Sequence, residues 1–258
     1  MCKYILRFFR TGGSFLIVTV AVMLVASPAS AYVYDDFSGS GYGAKWTDIG
    51  PNTGLFSQPG DGYLYFNDPA NGGHQDRLKS TTTFSGALFV SLQYEFISVS
   101  NTATGAGQGS SVSVVLSDGL SSPNAVAVWE YYEGGLAHPY GFNGGQTVAG
   151  ISTGTVPNRT TNVTSGWLGI EYNGLLGTAG QVILKYDDGT GWQQLGTFTG
   201  TNFANNPYVI IRGHDQYGTS LSFKVNEVGI NPVPIPPALW LFGPGLVGLA
   251  AVRRRFIK

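Results

Sequence analysis

The middle of the sequence, residues 32–231, predicts an all-β fold: two antiparallel sheets packed as a β-sandwich of the jelly-roll type. Apolar and polar residues alternate there with a period of two, which is typical of strands that bury one face. The alternation is clearest in residues 88–96, 112–117, 168–172, 182–187 and 221–226. No segment of this region has an uninterrupted helical period, and its length of about 200 residues suits a single sandwich.

Turn dipeptides separate the predicted strands. Asp-Gly and Asn-Gly pairs favour tight turns because Gly accepts the positive φ that many turns require. Such pairs occur at residues 61–62, 118–119, 143–144, 173–174 and 188–189. The last pair lies within Tyr186–Trp192, which we interpret as the tip of a hairpin.

Charged residues are scarce, and those of the middle region are mostly acidic. Only 11% of the 258 residues are charged. Residues 32–231 contain seven Lys and Arg against all fifteen Asp and Glu, which gives a formal charge of −8. Nucleic-acid binding requires clustered Lys and Arg to neutralise phosphates. We therefore expect no nucleic acid as a partner.

The first 31 residues have the three parts of a secretory signal peptide. Basic residues precede a short apolar run at residues 15–25, and Ala29 and Ala31 fit the small-x-small cleavage pattern. A membrane anchor is the alternative, but the run is shorter than the roughly 20 residues that span a bilayer. We expect cleavage after Ala31, which would also remove the single cysteine, Cys2.

The last 27 residues, 232–258, also divide into three parts. A stretch with consecutive prolines opens the segment and resists both helix and sheet. An apolar run over about residues 238–252 follows, and we expect it to form a transmembrane helix. A basic cluster ends the chain and would hold the helix end on the cytoplasmic side of the membrane. The residues of the proline stretch and the basic cluster are Val233, Pro234, Pro236, Arg253, Arg254 and Arg255.

This tail resembles the PEP-CTERM protein-sorting signals of Gram-negative bacteria, which combine a Val-Pro-x-Pro motif, an apolar helix containing Gly and a short Arg-rich end. One departure is Ile235, which stands where an acidic residue is usual between the prolines. The resemblance implies that an exosortase recognises the tail and cleaves it near the prolines after transient membrane anchoring. It further implies release to the cell surface or extracellular matrix. A plain C-terminal anchor is the alternative.

Three motifs of the middle region resemble concanavalin A-like lectin and glucanase sandwiches. They are Asp35-Asp36-Phe37-Ser38 followed by Lys45-Trp46, the strand Trp167–Tyr172 followed by the Val182–Trp192 hairpin, and the closing strand Leu221–Ile230. The resemblance implies that the first and last strands pair. It also implies that one concave sheet faces a carbohydrate.

The sequence offers no catalytic constellation. Glycoside hydrolysis uses two carboxylates about 5–10 Å apart, but a spacing of three residues puts Glu130 and Glu133 on opposite faces of a strand. The adjacent pairs Asp35–Asp36 and Asp187–Asp188 fit turn and capping roles instead. No Gly-x-Ser-x-Gly elbow occurs. Catalytic residues are therefore predicted to be absent.

Histidine spacing does not predict a metal site either. His74, His138 and His214 lack the short spacing of a histidine metal motif. The dipeptide His214-Asp215 beside Arg212 is interpreted as loop structure after a strand at residues 208–211. Secreted sandwiches can hold a structural Ca²⁺ with loop carboxylates and carbonyls. No loop here has EF-hand spacing, so no cofactor is predicted and Ca²⁺ remains an alternative without a motif.

Trp129, Tyr131 and Tyr132 are the candidate carbohydrate-binding residues. If Val126 and Val128 face inward, Trp129 and Tyr131 project from the opposite face of their strand. Aromatic rings there would stack on the apolar faces of sugars, whereas the alternative is that they fill the core.

Three functions remain open at this point. The leading interpretation is an exported, exosortase-sorted surface or matrix protein that is non-catalytic and associated with exopolysaccharide. The second is a lectin-like carbohydrate-binding module. The third is a glycoside hydrolase or polysaccharide lyase whose residues are scattered along the chain.

Overall fold

The computed structural model describes residues 32–232 except for 70–72, 102–108, 120–123, 135–138, 175–178 and 216–217. The predicted signal peptide, with Ala29 and Ala31, lies outside the described residues. So does the predicted sorting signal from Val233 onward, with its prolines and Arg253–Arg255. Among the residues that are described, no helix is long and apolar enough to cross a membrane.

The described chain folds into strands that pair antiparallel throughout. In chain order they are β1 Val33–Asp35, β2 Trp46–Asp48, β3 Phe56–Ser57, β4 Leu64–Asp68, β5 Gln75–Ser80, β6 Leu88–Asn101, β7 Ser110–Ser117, β8 Ala125–Tyr132, β9 Tyr140–Val148, β10 Ile151–Thr155, β11 Arg159–Thr161, β12 Ser165–Tyr172, β13 Gly180–Asp187, β14 Gln193–Thr201, β15 Tyr208–His214 and β16 Gly218–Pro232. All five segments predicted from alternation lie within β6, β7, β12, β13 and β16. The all-β prediction is confirmed.

The strands form two sheets. Sheet A has the order β14-β13-β12-β6-β16-β4-β3, with β1 also beside β16. Val33 pairs with Gly229 in that contact, so the first and last strands are neighbours as predicted. Sheet B has the order β10-β9-β8-β7-β15-β5-β2, with β11 beside β9.

One core lies between the inner faces of the two sheets. Phe66 of β4 and Phe223 of β16 stack there with ring centroids 4.9 Å apart. Phe142 of sheet B stacks on Tyr186 of sheet A at 4.3 Å and joins the two layers. Period-two alternation explains this arrangement, because every second residue of each strand faces inward. The predicted two-sheet packing is therefore confirmed.

The Asn143-Gly144 turn prediction is wrong, because both residues lie in the middle of β9. A Cβ atom built on Gly144 would stand 2.2 Å from Leu184 Cδ1 across the core. Glycine is required here for the close approach of the two sheets. At Asp61-Gly62 and Asp188-Gly189, by contrast, the glycines have φ of 88° and 95°, as turn residues do.

The adjacent aspartates bind backbone and neighbouring side chains as predicted. Asp35 accepts hydrogen bonds from Phe37 N at 3.1 Å and from Trp46 Nε1 at 2.7 Å. Asp187 accepts from the backbone of Gly189 at 2.8 Å, and Asp188 from that of Thr190 at 3.2 Å. These carboxylates stabilise turns and the entry to the sandwich.

Candidate functional site

Strand β8 presents its aromatic residues to both sides of sheet B. Val128 is fully buried on the inner face. Trp129 and Tyr131 therefore lie on the outer face, as the alternation predicted. Tyr132 lies on the inner face, with its ring 5.1 Å from Tyr140. The structure thus brings two of the three candidate residues together, and carbohydrate binding by any of them stays a prediction.

Antiparallel pairing lines up polar side chains with Trp129 across the outer face of sheet B. Trp129 pairs with Ser113, Ser113 with Arg212 and Arg212 with Arg77. On the other side, Trp129 pairs with Asn143. We call this line of five residues the Trp129 row. It crosses β5, β15, β7, β8 and β9 at right angles to the strands.

The indole of Trp129 is half-buried and lies over a glycine of β9. A Cβ atom on Gly145 would stand 3.5 Å from the far edge of the indole. Ser113, between Trp129 and Arg212, has no exposed surface and forms the floor of the row. One aromatic face thus stands beside hydrogen-bonding groups, an arrangement suited to a ligand with both apolar and hydroxyl surfaces.

A second line of residues runs parallel to the first. It contains Tyr131, Ser111, His214 and Gln75, which are successive pairing partners on β8, β7, β15 and β5. Tyr131 is buried although it faces outward, because its ring lies against the backbone of Gly141. Burial raises the pKa of its hydroxyl to about 12, and the charge of Glu133 adds to the effect. The Tyr131 hydroxyl is therefore uncharged at neutral pH.

The arginines determine the electrostatics of the face. Arg212 Nε donates to Ser113 Oγ at 3.1 Å, and Arg77 Nη2 donates to Gln75 Oε1 at 2.9 Å. Burial, followed by the charge of Arg77, lowers the pKa of Arg212 to about 10, so it still carries charge at neutral pH. Burial and the two arginines lower the pKa of His214 to about 4. His214 is consequently neutral at pH 7, and the positive charge of this face comes from Arg77, Arg212 and Lys79.

The carboxylates near this face lie outside its strand positions or in the interior, and Glu133, whose charge acts on Tyr131, follows the end of β8 and is buried. The outward positions of β5, β7, β8, β9 and β15 that the structure describes carry no Asp or Glu. Glu130 faces the interior, where it is fully buried and accepts a hydrogen bond from Tyr94. Asp215, after β15, is buried and accepts from Ser110 Oγ at 2.7 Å. The two-carboxylate geometry of glycoside hydrolysis is therefore not formed on these strands.

The outer face of sheet A carries a second aromatic group, which the sequence did not single out. Trp192 is 43% exposed and lies 5.1 Å from Phe89 and 6.2 Å from Trp167, measured between ring centroids. A cleft of about 350 Å³ adjoins Trp167 and is lined by Asp187 and Asp188 among others. Both carboxylates already accept hydrogen bonds from the backbone of the hairpin turn.

No group of three or more His, Cys, Asp or Glu side chains that could hold a metal ion occurs within the described ranges. Two carboxylates do meet at the start of the domain, Asp48 and Asp76. Burial and the neighbouring Asp48 raise the pKa of Asp76 to about 6. Asp76 also accepts a hydrogen bond from the backbone of Leu55 at 3.0 Å.

Sequence reasoning missed most of the Trp129 row. Arg77 had no role in the prediction, and Arg212 and His214 were assigned to loop structure, although they belong to β15. A signal was present, because Gln75-x-Arg77-x-Lys79 and Arg212-x-His214 follow the same period of two as the apolar strands. The period identifies the outward residues, but only the strand order brings them together.

Comparisons with known proteins are informative at the level of fold. No family model matches the chain, and no curated protein sequence matches it. Among solved structures, the exoplasmic/lumenal domain of VIP36 in its Ca²⁺/Man3GlcNAc-bound form is similar with a TM-score of 0.57. The two chains are 8% identical, and the match covers 79% of this chain and 91% of that one.

Two further structures have the same architecture. A legume lectin-like domain from Entamoeba histolytica matches with a TM-score of 0.51 and 12% identity over 74% of this chain and 91% of that chain. A protein described as Bacteroides ovatus xyloglucan PUL GH43B matches with a TM-score of 0.55 and 14% identity over 77% of this chain but only 39% of its own length. The chain therefore has the two-sheet fold of legume lectin-like, concanavalin A-like domains, as its sequence motifs suggested.

Proposed function

We propose that this protein is an exported, non-catalytic surface or matrix protein whose sandwich domain binds exopolysaccharide through the outer face of sheet B. The observation that carries the proposal is the Trp129 row. It combines the half-buried indole of Trp129 on β8 with the guanidinium of Arg212 on β15, and β7 lies between them. Sugars present apolar C–H faces and hydroxyl groups, and this row can contact both.

The fold agrees with the proposal. Two of the similar solved structures are described as a lectin-like domain and as an oligosaccharide-bound domain. The third carries a glycoside hydrolase designation, which keeps hydrolysis as the competing function. We favour binding because the row offers donors and an aromatic surface without a carboxylate pair at the described outward positions.

Export and sorting complete the proposed function. The signal-peptide pattern of residues 1–31 would deliver the domain across the inner membrane of a Gram-negative cell. The tail from Val233 to Arg255 would then anchor it transiently until an exosortase cleaves near Pro234 and Pro236. A polysaccharide-binding domain released in this way would act in the matrix around the cell.

Replacing Trp129 with alanine is expected to weaken retention on the producing organism's exopolysaccharide at least tenfold. The indole supplies the stacking surface, and its loss removes an aromatic contact while leaving the core intact. Because the ring is half-buried on an outer face, the free energy of unfolding should fall by only about 1 kcal/mol. Pull-down on immobilised exopolysaccharide and a thermal melt measure the two effects.

Trp192→Ala is the matched control, since that ring lies on the outer face of sheet A and is 43% exposed. It should melt normally and bind normally. If only the Trp192 variant loses binding, the binding site lies on the outer face of sheet A and the proposed site on sheet B is wrong. A strongly destabilised Trp129 variant would instead mean that the ring serves the core.

Removing residues 233–258 is expected to send the protein into the culture medium instead of the cell surface. When the gene for all 258 residues is expressed, the processed protein should be found at the cell surface with its new C-terminus near the proline stretch. Mass spectrometry of the C-terminal peptide detects this cleavage. A variant with glutamine at positions 253–255 should keep its tail and remain in the membrane fraction, because the Arg cluster fixes the orientation of the helix. An intact tail on the wild-type surface protein would refute processing.

A further inference from the structure

We propose that the glycan bound by sheet B is an acidic polysaccharide, whose carboxylate or sulfate groups contact Arg77 and Arg212 while a sugar ring stacks on Trp129. This inference rests on the proposed function and adds the chemical class of its ligand. It follows from how the few basic residues of the domain are distributed.

Six of the seven Lys and Arg of residues 32–231 fall into two groups of three, and the seventh, Arg159, is exposed in the edge strand β11. Three have a carboxylate partner in the described structure: Lys45–Asp35 at 3.1 Å, Lys185–Glu171 at 2.5 Å and Lys224–Glu95 at 2.9 Å. Arg77, Lys79 and Arg212 occupy outward positions of β5 and β15 and form no ion pair with any described residue. Lys79 instead lies 4.1 Å from the ring centre of Tyr208. Apart from Arg159, the basic residues of this acidic domain that lack a carboxylate partner among the described residues thus lie together on the outer face of sheet B.

The side chains of Arg77 and Arg212 are neighbours on the same face of sheet B. Arg77 and Arg212 are direct pairing partners on neighbouring strands, so their like charges repel. In addition, Arg77 Nε is buried and has no hydrogen-bond acceptor among the described residues. A buried N–H of a charged group without an acceptor destabilises the fold. An anion bound between the arginines would supply the acceptor and offset the repulsion.

Guanidinium groups suit the proposed anions. Their planar N–H groups donate paired hydrogen bonds to carboxylates and to tetrahedral oxyanions. His214 beside them is neutral and adds hydrogen-bonding capacity without charge. The remainder of the domain is acidic, so an anionic polymer would be repelled elsewhere and directed to this face.

The row also gives the polymer a direction. Strands lie about 4.8 Å apart, and β7 separates Trp129 from Arg212, so their backbones stand about 10 Å apart. A polysaccharide chain that crosses the strands from β8 to β5 would pass the indole first and the arginines next. Ser113 lies between them as the floor.

The test uses the exported protein and three immobilised polymers: polygalacturonate, dextran sulfate and neutral dextran. We expect retention on an acidic polymer and not on dextran. The affinity should decrease as NaCl is raised from about 50 to about 500 mM, because salt screens interactions between exposed charges. Retention on polygalacturonate alone identifies carboxylates as the bound groups, and retention on dextran sulfate alone identifies sulfate esters. Arg77→Gln and Arg212→Gln should each weaken binding about tenfold or more.

Arg159→Gln is the charge-matched control, because Arg159 is exposed in the edge strand β11 and outside the row. It should bind like the wild type. Arg212→Lys keeps the charge but not the planar donor group, and it should bind between wild type and Arg212→Gln. Thermal melts verify that each variant is folded. If one of the two arginine variants does not fold, the binding of the other is sufficient for the test.

Three outcomes would overturn this inference, and the first of them leaves the proposed function intact. In the first, Trp129→Ala abolishes retention on the organism's exopolysaccharide, whereas both arginine variants bind it like the wild type. This result would contradict an acidic ligand but would support the binding site on sheet B. No retention on any polymer, exopolysaccharide included, would overturn both. If Arg159→Gln and Arg212→Gln weaken binding to the acidic polymer equally, the loss of affinity comes from the change in net charge. The proposed role of the Arg77–Arg212 pair would then be wrong.

Discussion

Replacing Asp35 with alanine is expected to lower the free energy of unfolding by about 3–5 kcal/mol. Asp35 is 5% exposed and accepts hydrogen bonds from the Trp46 indole N–H and the Phe37 backbone N–H. Alanine would leave both donors without that acceptor at the edge of the core. Because a domain of this kind is stable by only about 5–15 kcal/mol, urea denaturation should show a large shift of the midpoint with an unchanged m-value.

Asp36→Ala is the control from the adjacent position. The Asp36 carboxylate is exposed and binds Ser38 within its own turn, at 3.1 Å to the backbone and 2.8 Å to the hydroxyl. Its removal should leave the denaturation midpoint close to the wild-type value. Similar midpoints for the two variants would contradict the structural role of Asp35.

The strands were predictable because burial imposes a local pattern. Each segment with clear alternation became a strand, since one residue in two contacts the opposite sheet. The Asn143-Gly144 prediction failed for a reason that the local sequence does not contain. Gly144 is needed because Leu184, on the opposite sheet, packs where a side chain would stand. A glycine required by tertiary contact and one required by a turn look alike in sequence.

The candidate site was only half predictable. The outward direction of Trp129 follows from the inward direction of its neighbours on β8. Its alignment with Arg212 and Arg77 depends on β7 and β15 lying between them, and strand order is a property of the whole topology. The burial of Tyr131 was equally hidden, because it arises from Gly141 on the neighbouring strand. Spacing along one strand therefore identified the aromatic residues but not their polar partners.

The second large effect concerns pH. Glu130 is fully buried between the sheets, and this burial raises its pKa well above the ordinary value of 4.5, although the hydrogen bond from Tyr94 acts in the opposite direction. In the unfolded chain Glu130 ionises near 4.5, whereas in the folded protein it stays protonated to higher pH. Folding therefore takes up a proton, and stability decreases as pH rises through this window.

Glu130→Gln should remove that dependence, because the amide resembles the protonated carboxyl in shape and does not ionise. The stability of the variant relative to wild type should increase with pH above about 4.5, by up to about 1.4 kcal/mol per pH unit, which is the limit for one proton. Urea denaturation at several values between pH 4.5 and pH 8 measures the difference. Tyr94→Phe serves as the comparison: it removes the hydroxyl but leaves Glu130 buried, so the decrease of stability with pH should persist. If wild type and Glu130→Gln lose stability in parallel, Glu130 is ionised in the folded protein, and its charge must then be stabilised within the core.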